Sequence, residues 1–412
     1  MNILHFNQSD IAGGAAIAGF RLHQGLMDQG INSRILAGTV KTSSDRVSAV
    51  PRKQRLENRL ERISNQFGLK YINIFSSFNI TTHDFYREAD VLNFHNLHTG
   101  YFNYLAIAKL TQSKPAVFTL HDMWSFTGHC AYSYDCDRWK TGCGQCPDLD
   151  TYPAVQVDNT RLEWKLKNWV YNRSNLTIVA PSKWLYEQAQ KSMLNRYPIH
   201  HIPYGIDIEA YQPLDPEQCR AVLGISQQKH VLMFAADSLL DSRKGGDLLL
   251  KALKNLPNQL KSNTVLLTLG TGSESIAKTV GVETLNLGYV SSDRLKAIAY
   301  SAADLFIFPT RADNLPLVLQ ESMACGTPMV SFKIGGVPDL VRPGITGYLA
   351  TPEDADDFSN GIIQLLEDST LRGQMRQNCR TIAVLEYSLD IQAKEYISLY
   401  HRILKEDGHN IH

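Results

Sequence analysis

The sequence predicts an α/β protein built from two doubly wound, parallel-sheet domains. Three observations carry that expectation. Short apolar, β-branched runs alternate with longer stretches of helical periodicity, which is the rhythm of βαβ units. The rhythm pauses at Pro203-Tyr204-Gly205 and then restarts. The chain has 412 residues, 43% hydrophobic and 20% charged, enough for two to three domains at roughly 150 residues each. In the first half, Ile3–Phe6, Ser33–Leu36, Val91–Phe94, Ala116–Leu120 and Leu176–Ala180 read as strands, with a helix over about Ala15–Gln29. In the second half, His230–Ala235, Val265–Leu269, Thr284–Leu287, Leu305–Phe308 and Met329–Phe332 do so. Helical stretches lie near Asp247–Lys254, Ser292–Ala302 and Leu317–Cys325. Two such halves are expected to form Rossmann-like domains facing a cleft, with ligands at the C-terminal strand ends. Ser388–Leu404 carries Ile391, Tyr396, Ile397, Tyr400 and Ile403 near helical spacing, so the chain ends on an amphipathic helix.

Charge and composition narrow the function. Lys plus Arg equals Asp plus Glu, at 41 each, which argues against a globally basic nucleic-acid binder. No apolar run approaches the roughly 18–20 residues that span a bilayer. Met1–Phe6 reads as a first strand rather than a signal peptide, so the expected location is the cytoplasm. Four of the seven cysteines fall between Cys130 and Cys146.

Three strand-to-helix connections carry candidate chemistry. Asn7–Ala15 (NQSDIAGGA) joins the first strand to the first helix. Its glycines let backbone approach an anion, and the helix N-terminus offers N–H groups to phosphate oxygens. Ser242–Gly246 (SRKGG) follows the first strand of the second half. Two cations beside two glycines suit a diphosphate, although the string is neither a P-loop nor a dinucleotide fingerprint. Thr310–Glu321 (TRADNLPLVLQE) follows the strand Leu305–Phe308 and sets Asp313 and Glu321 eight positions apart. Pro316 is placed to begin a helix. A carboxylate such as Glu321 on that helix can accept two hydrogen bonds from a vicinal diol such as ribose.

That last string resembles the E-x7-E motif of retaining GT-B glycosyltransferases of family 4, with Asp in the first place. Glu321–Val330 (ESMACGTPMV), Gly335–Asp339 (GGVPD), Gly347–Leu349, Thr119–Asp122 (TLHD), Ala180–Lys183 (APSK) and Ile202–Asp207 (IPYGID) resemble the same family, in the same order. The resemblance implies a GT-B, hexosyltransferase-type enzyme without a catalytic metal, using a UDP- or GDP-linked sugar and a glycan or lipid-linked acceptor. It implies an acceptor domain over 1–205, a donor domain over 206–385, and a C-terminal helix over 386–412 that returns to the first domain. It places Gly14 at the donor diphosphate and His121 at the donor sugar. Arg243 and Lys244 fall to the leaving nucleoside diphosphate, Glu321 to the ribose hydroxyls and Asp313 to the sugar. Leu317 and Val318 would lie beside the diphosphate, and Val290, in Gly288-Tyr289-Val290, near the base. Leu239 stands where the family has an Arg, and Tyr204 where it has the Asn of a Pro-Asn-Gly string.

Two segments interrupt the rhythm. After His121-Asp122, Cys130, Cys136, Cys143 and Cys146 follow a C-x5-C-x6-C-x2-C spacing over an insertion near 123–150, with His129 adjacent. Such a set can close a structural zinc site; reduced thiols or a disulfide are the alternatives. A similar insertion occurs in family 4 enzymes of bacterial exopolysaccharide assembly. Residues 51–78 join basic side chains (Arg52, Lys53, Arg55, Arg59, Arg62) to Phe67, Leu69, Tyr71, Ile72, Ile74, Phe75 and Phe78. They read either as a face for an anionic membrane or as a solvated helix and a packing loop. His95 and His98, after the strand Val91–Phe94, are acceptor-side candidates, as a general base or as hydroxyl ligands. Competing functional readings are a sugar-nucleotide epimerase, a phosphorylase, and a non-catalytic glycan- or nucleotide-binding scaffold.

Overall fold

The structure, a computed structural model, describes residues 1–238, 241–271 and 281–409. The chain divides into two compact units, one of Met1–Gly205 with the chain from Asp390 onward, the other of Ile206–Leu389.

In the first unit, seven strands among the described residues form one parallel sheet: β1 (Asn2–Ser9), β2 (Asn32–Thr39), β3 (Val47–Ala49), β4 (Val91–Phe94), β5 (Ala116–Thr119), β6 (Leu176–Ala180) and β7 (Ile199–His201), in the order β3-β2-β1-β4-β5-β6-β7. The order reverses between β1 and β4, and such switch points are where doubly wound sheets bind ligands. Residues 4, 6, 92, 94, 118 and 178 point to one face of this sheet and pack on Phe102, Tyr104, Trp124 and Tyr171. Ile3, Val91, Val117 and Val179 point to the other and meet Leu22 and Leu26 of the helix Gly14–Asp28. Tyr396, Leu399, Tyr400 and Ile403 of the last helix, Leu389–His409, close that same layer. Two buried polar contacts fix its register: Asn93 donates to Tyr400 Oη at 2.8 Å, and Thr119 Oγ1 and Tyr396 Oη lie 2.9 Å apart.

In the second unit, six described strands form a second parallel sheet: β8 (His230–Ser238), β9 (Thr264–Thr271), β10 (Glu283–Asn286), β11 (Leu305–Phe308), β12 (Met329–Phe332) and β13 (Gly347–Ala350), ordered β10-β9-β8-β11-β12-β13. Here the order reverses between β8 and β11. β11 and β12 are buried throughout (LFIF and MVSF), as expected for parallel strands covered by helices on both faces. Among the described residues, no helix is long and apolar enough to cross a membrane.

Candidate active site

In the second unit, the two strands at the switch point deliver the candidate cations and the first acid to one place. Past β8, Asp241 caps a short turn, Ser242–Lys244, by accepting from Arg243 N at 2.9 Å. Gly245 follows at φ 72°, and a Cβ there would collide with the carbonyl of Pro309. Only glycine lets the chain pass this close to β11. Past β11, Thr310 Oγ1 donates to the Arg243 carbonyl and Arg311 N bonds the same carbonyl. The two connections are thereby sewn together. Lys244 Nζ then lies 2.6 Å and Arg243 Nη1 3.2 Å from Asp313 Oδ2. Burial works against the charge on Asp313, but Lys244 and Arg243 hold its carboxyl below the usual carboxylate range. Asp313 thus positions both cations. A Cβ at Gly335, φ 48°, would strike the Asp313 carbonyl, which accepts from Gly336 N at 3.2 Å. Gly335 and Gly336 of the GGVPD string therefore hold this loop.

The helix Leu317–Ala324 begins behind Pro316 with no side-chain cap. Its first-turn N–H groups, at Leu317 and Val318, provide the positive end of a helix dipole. Both residues are partly exposed, whereas Glu321, one turn on, is 5% exposed and accepts from Tyr300 Oη at 3.2 Å. Val290 lies in the loop after β10, partly exposed beside the solvent-facing Tyr289. Leu239 lies outside the described residues.

In the first unit, Gly14 is the first residue of the helix after β1, behind Gly13 with no side-chain cap. Asp10 holds the turn by accepting from Lys41 N, Thr42 N and Thr42 Oγ1. Burial opposes its charge, but the Thr42, Lys41 and Ile11 hydrogen bonds keep its carboxyl below the usual range. His121, two residues past β5, is partly exposed. Its Nε2 lies 3.0 Å from His95 Nδ1 and its Nδ1 2.6 Å from Tyr204 Oη. Burial pushes its imidazole down to about 4.

His95 and His98 do not stand as accessible acceptor-side groups. Each is 2% exposed. His95 is bonded on both nitrogens, to His5 and His121. His98 Nε2 is paired with Asp122 Oδ2 at 2.9 Å. His95 is walled by His5 and His121, and His98 by the insertion, whose Trp124 ring lies 5.5 Å from its own. A residual cavity of about 10 Å³ between His98, Leu120, His121 and Trp124 has room for about one water.

A buried lysine anchors the insertion. Lys167 Nζ donates to the carbonyls of Trp124 (2.6 Å) and Thr127 (3.0 Å) and sits 3.8 Å over the Trp124 ring. Sequence reasoning passed over it because a Lys on an amphipathic helix reads as solvated. All four insertion cysteines are free thiols. Cys143 Sγ accepts from Gly128 N at 3.2 Å, and Cys146 Sγ donates to the Asp148 carbonyl at 3.3 Å. Burial pushes the Cys130 thiol up to about 12 and that of Cys143 to about 11. Among the described residues, no group of three or more His, Cys, Asp or Glu side chains is arranged to hold a metal ion. His129 Nε2 lies 3.3 Å from Cys146 Sγ, and the zinc site expected from Cys130, Cys136, Cys143 and Cys146 is not shown by this arrangement.

Two doubly wound parallel-sheet units, the second gathering two cations, an uncapped helix and a buried acid at its switch point, define a GT-B type of fold. The chain belongs to the family 4, group 1 glycosyltransferases and is a glycosyltransferase. Residues 12–210 match Glycosyltransferase Family 4, and residues 216–382 match Glycosyl transferases group 1. Over 348 residues the chain is 30% identical to the putative colanic acid biosynthesis glycosyl transferase WcaC of Escherichia coli K12, covering 80% of this chain and 83% of that one. Two solved structures share the GT-B fold. Sucrose-phosphate synthase of Thermosynechococcus elongatus has a TM-score of 0.71 at 16% identity, over 98% of this chain and all of that one. HepE of Anabaena in complex with UDP has a TM-score of 0.65 at 18% identity, over 98% and 100%.

Proposed function

We propose that the chain is a retaining glycosyltransferase that moves a sugar from a UDP- or GDP-linked donor to a glycan or lipid-linked acceptor in polysaccharide or glycolipid assembly. The observation that carries this reading is the pair Arg243 and Lys244, clamped by Asp313 beside the uncapped helix that bears Glu321. In the transfer, the bond from the anomeric carbon to the diphosphate breaks. Negative charge grows on the departing phosphate and positive charge on the sugar ring. Two fixed cations and a helix N-terminus stabilise the first without a metal. Glu321 accepts the ribose hydroxyls, Val290 borders the base, and Gly14 and His121 serve the transfer from the first unit. Retention comes with the family. The acceptor class is supported by the relative named for colanic acid biosynthesis, and the donor class by the UDP bound in the HepE structure. The reading is tested by nucleoside diphosphate release from a panel of nucleotide sugars. Release from one base class supports it, and release from none contradicts it.

A lipid-linked acceptor would give residues 51–78 a role at an anionic membrane surface. The helix Gln54–Gln66 buries only Glu57 and Ser64. Glu57 is fully buried, bonded to Arg52 Nε at 2.6 Å and to Ser76 N at 3.0 Å. Leu56, Ile63 and Phe67 are left more than half exposed, among exposed Arg55, Arg59 and Arg62. Apolar insertion plus about 1 kcal/mol per basic residue near an anionic surface is enough for reversible docking. The chain should co-sediment with phosphatidylglycerol vesicles but not with phosphatidylcholine vesicles. The triple variant Leu56→Ser, Ile63→Ser, Phe67→Ser should stay in the supernatant. Equal sedimentation of variant and parent would remove this face from the account.

A further inference from the structure

Three imidazoles and a phenol form one unbroken hydrogen-bonded row across the first sheet. β1, β4 and β5 are neighbours, so His5 on β1, His95 at the end of β4 and His121 past β5 stand side by side. His5 Nδ1 and His95 Nε2 are 2.9 Å apart, His95 Nδ1 and His121 Nε2 3.0 Å, and His121 Nδ1 and Tyr204 Oη 2.6 Å. Successive ring centroids are 5.2, 5.2 and 5.4 Å apart. At the far end, His5 Nε2 is buried with no hydrogen-bond partner.

Burial keeps all three imidazoles neutral near pH 7, with His5 and His95 well below the ordinary histidine value. A neutral imidazole carries one N–H and one lone pair. Each contact in the row needs one of each, so the hydrogens must all point the same way. If they point toward His5, its Nε2 becomes a buried N–H with no acceptor. If they point toward Tyr204, that atom is a bare lone pair. Among buried backbone groups an orphaned N–H is rarer than an under-satisfied acceptor, and the same preference applied to the ring favours the bare lone pair. The blind end therefore sets the direction of the row.

We infer that His5, His95 and Tyr204 are positioning residues that hold His121 as its Nδ1–H tautomer, with Nε2 accepting from His95 and Nδ1–H donating to the Tyr204 hydroxyl. In this arrangement His121 has no lone pair left to take a proton and acts in transfer as an oriented dipole, not as a base. The row also gives Tyr204 a reason to stand where related chains carry Asn in the Pro-x-Gly string: its ring lies nearly parallel to that of His121, at 21°, and its hydroxyl meets His121 Nδ1. The inference rests on the proposed service of His121 in transfer for its functional meaning, but not for its geometry.

The test is 15N NMR of the full chain with labelled histidine, with His121 assigned from the signals missing in His121→Gln. The expected spectrum has a protonated Nδ1 and an unprotonated Nε2 for His121. Tyr204→Phe, which keeps the ring and removes the hydroxyl, should shift His121 toward a tautomer mixture. It should also lower kcat about 10-fold, with the donor KM unchanged. A wild-type His121 protonated on Nε2 overturns the inference, and this readout needs no variant beyond the assignment. So does a Tyr204→Phe enzyme with parental spectrum and kcat. Full transfer activity in His121→Ala would instead overturn the role given to His121, leaving the tautomer result standing.

Discussion

Lys244→Ala is expected to lower kcat by about 10²–10³-fold, the typical cost of removing one group that meets charge developing in the transition state. The donor KM should move far less, because the cation is worth most when the diphosphate departs. The structure explains why the loss should be catalytic rather than a collapse of the fold. Lys244 and Arg243 both reach Asp313 Oδ2, so the variant leaves that carboxylate paired with Arg243, which also bonds the Ala312 carbonyl at 2.9 Å. An unchanged unfolding midpoint alongside the fall in kcat would separate the two effects. Wild-type turnover in Lys244→Ala would place the leaving group elsewhere.

Glu321→Ala should weaken nucleoside diphosphate binding by about 10- to 100-fold, or 1.5–3 kcal/mol, the range for hydrogen bonds to a charged group. The more specific expectation is a lost discrimination. The parent should bind a 2′-deoxynucleoside diphosphate more weakly than the ribonucleotide, whereas the variant should treat the two alike, as a double-mutant cycle requires of interacting groups. Calorimetric titration of both ligands into both proteins measures all four corners. A variant that still prefers the ribonucleotide would take the ribose from Glu321.

Much of this arrangement was legible in the chain itself. The apolar runs Val91–Phe94, Leu176–Ala180, Leu305–Phe308 and Met329–Phe332 are the strands observed, residue for residue, because a strand covered on both faces is a continuous apolar run bounded by breakers. The edge strands β3 (VSA), β7 (IHH) and β13 (GYLA) were not, since none is a continuous buried apolar run. Arg243, Lys244 and Asp313 could be nominated singly, but their meeting depends on the reversal of strand order between β8 and β11, which local pattern does not encode. The histidines show the limit most clearly. His95 and His98 look available at a strand end, yet His5 and His121 enclose the first and Trp124 of the insertion packs on the second. His5 reads as a structural residue inside β1, and Tyr204 as an unexplained departure. Only lateral adjacency in the sheet joins them to His121.

Donor turnover is read from nucleoside diphosphate release when the purified chain is mixed with UDP-, GDP-, ADP- and CMP-linked sugars, with Lys244→Ala and Glu321→Ala alongside. The parent should release diphosphate from a UDP- or GDP-linked sugar, with release falling in both variants. Release that is undiminished in both variants, or absent from every donor, would contradict this reading of the site.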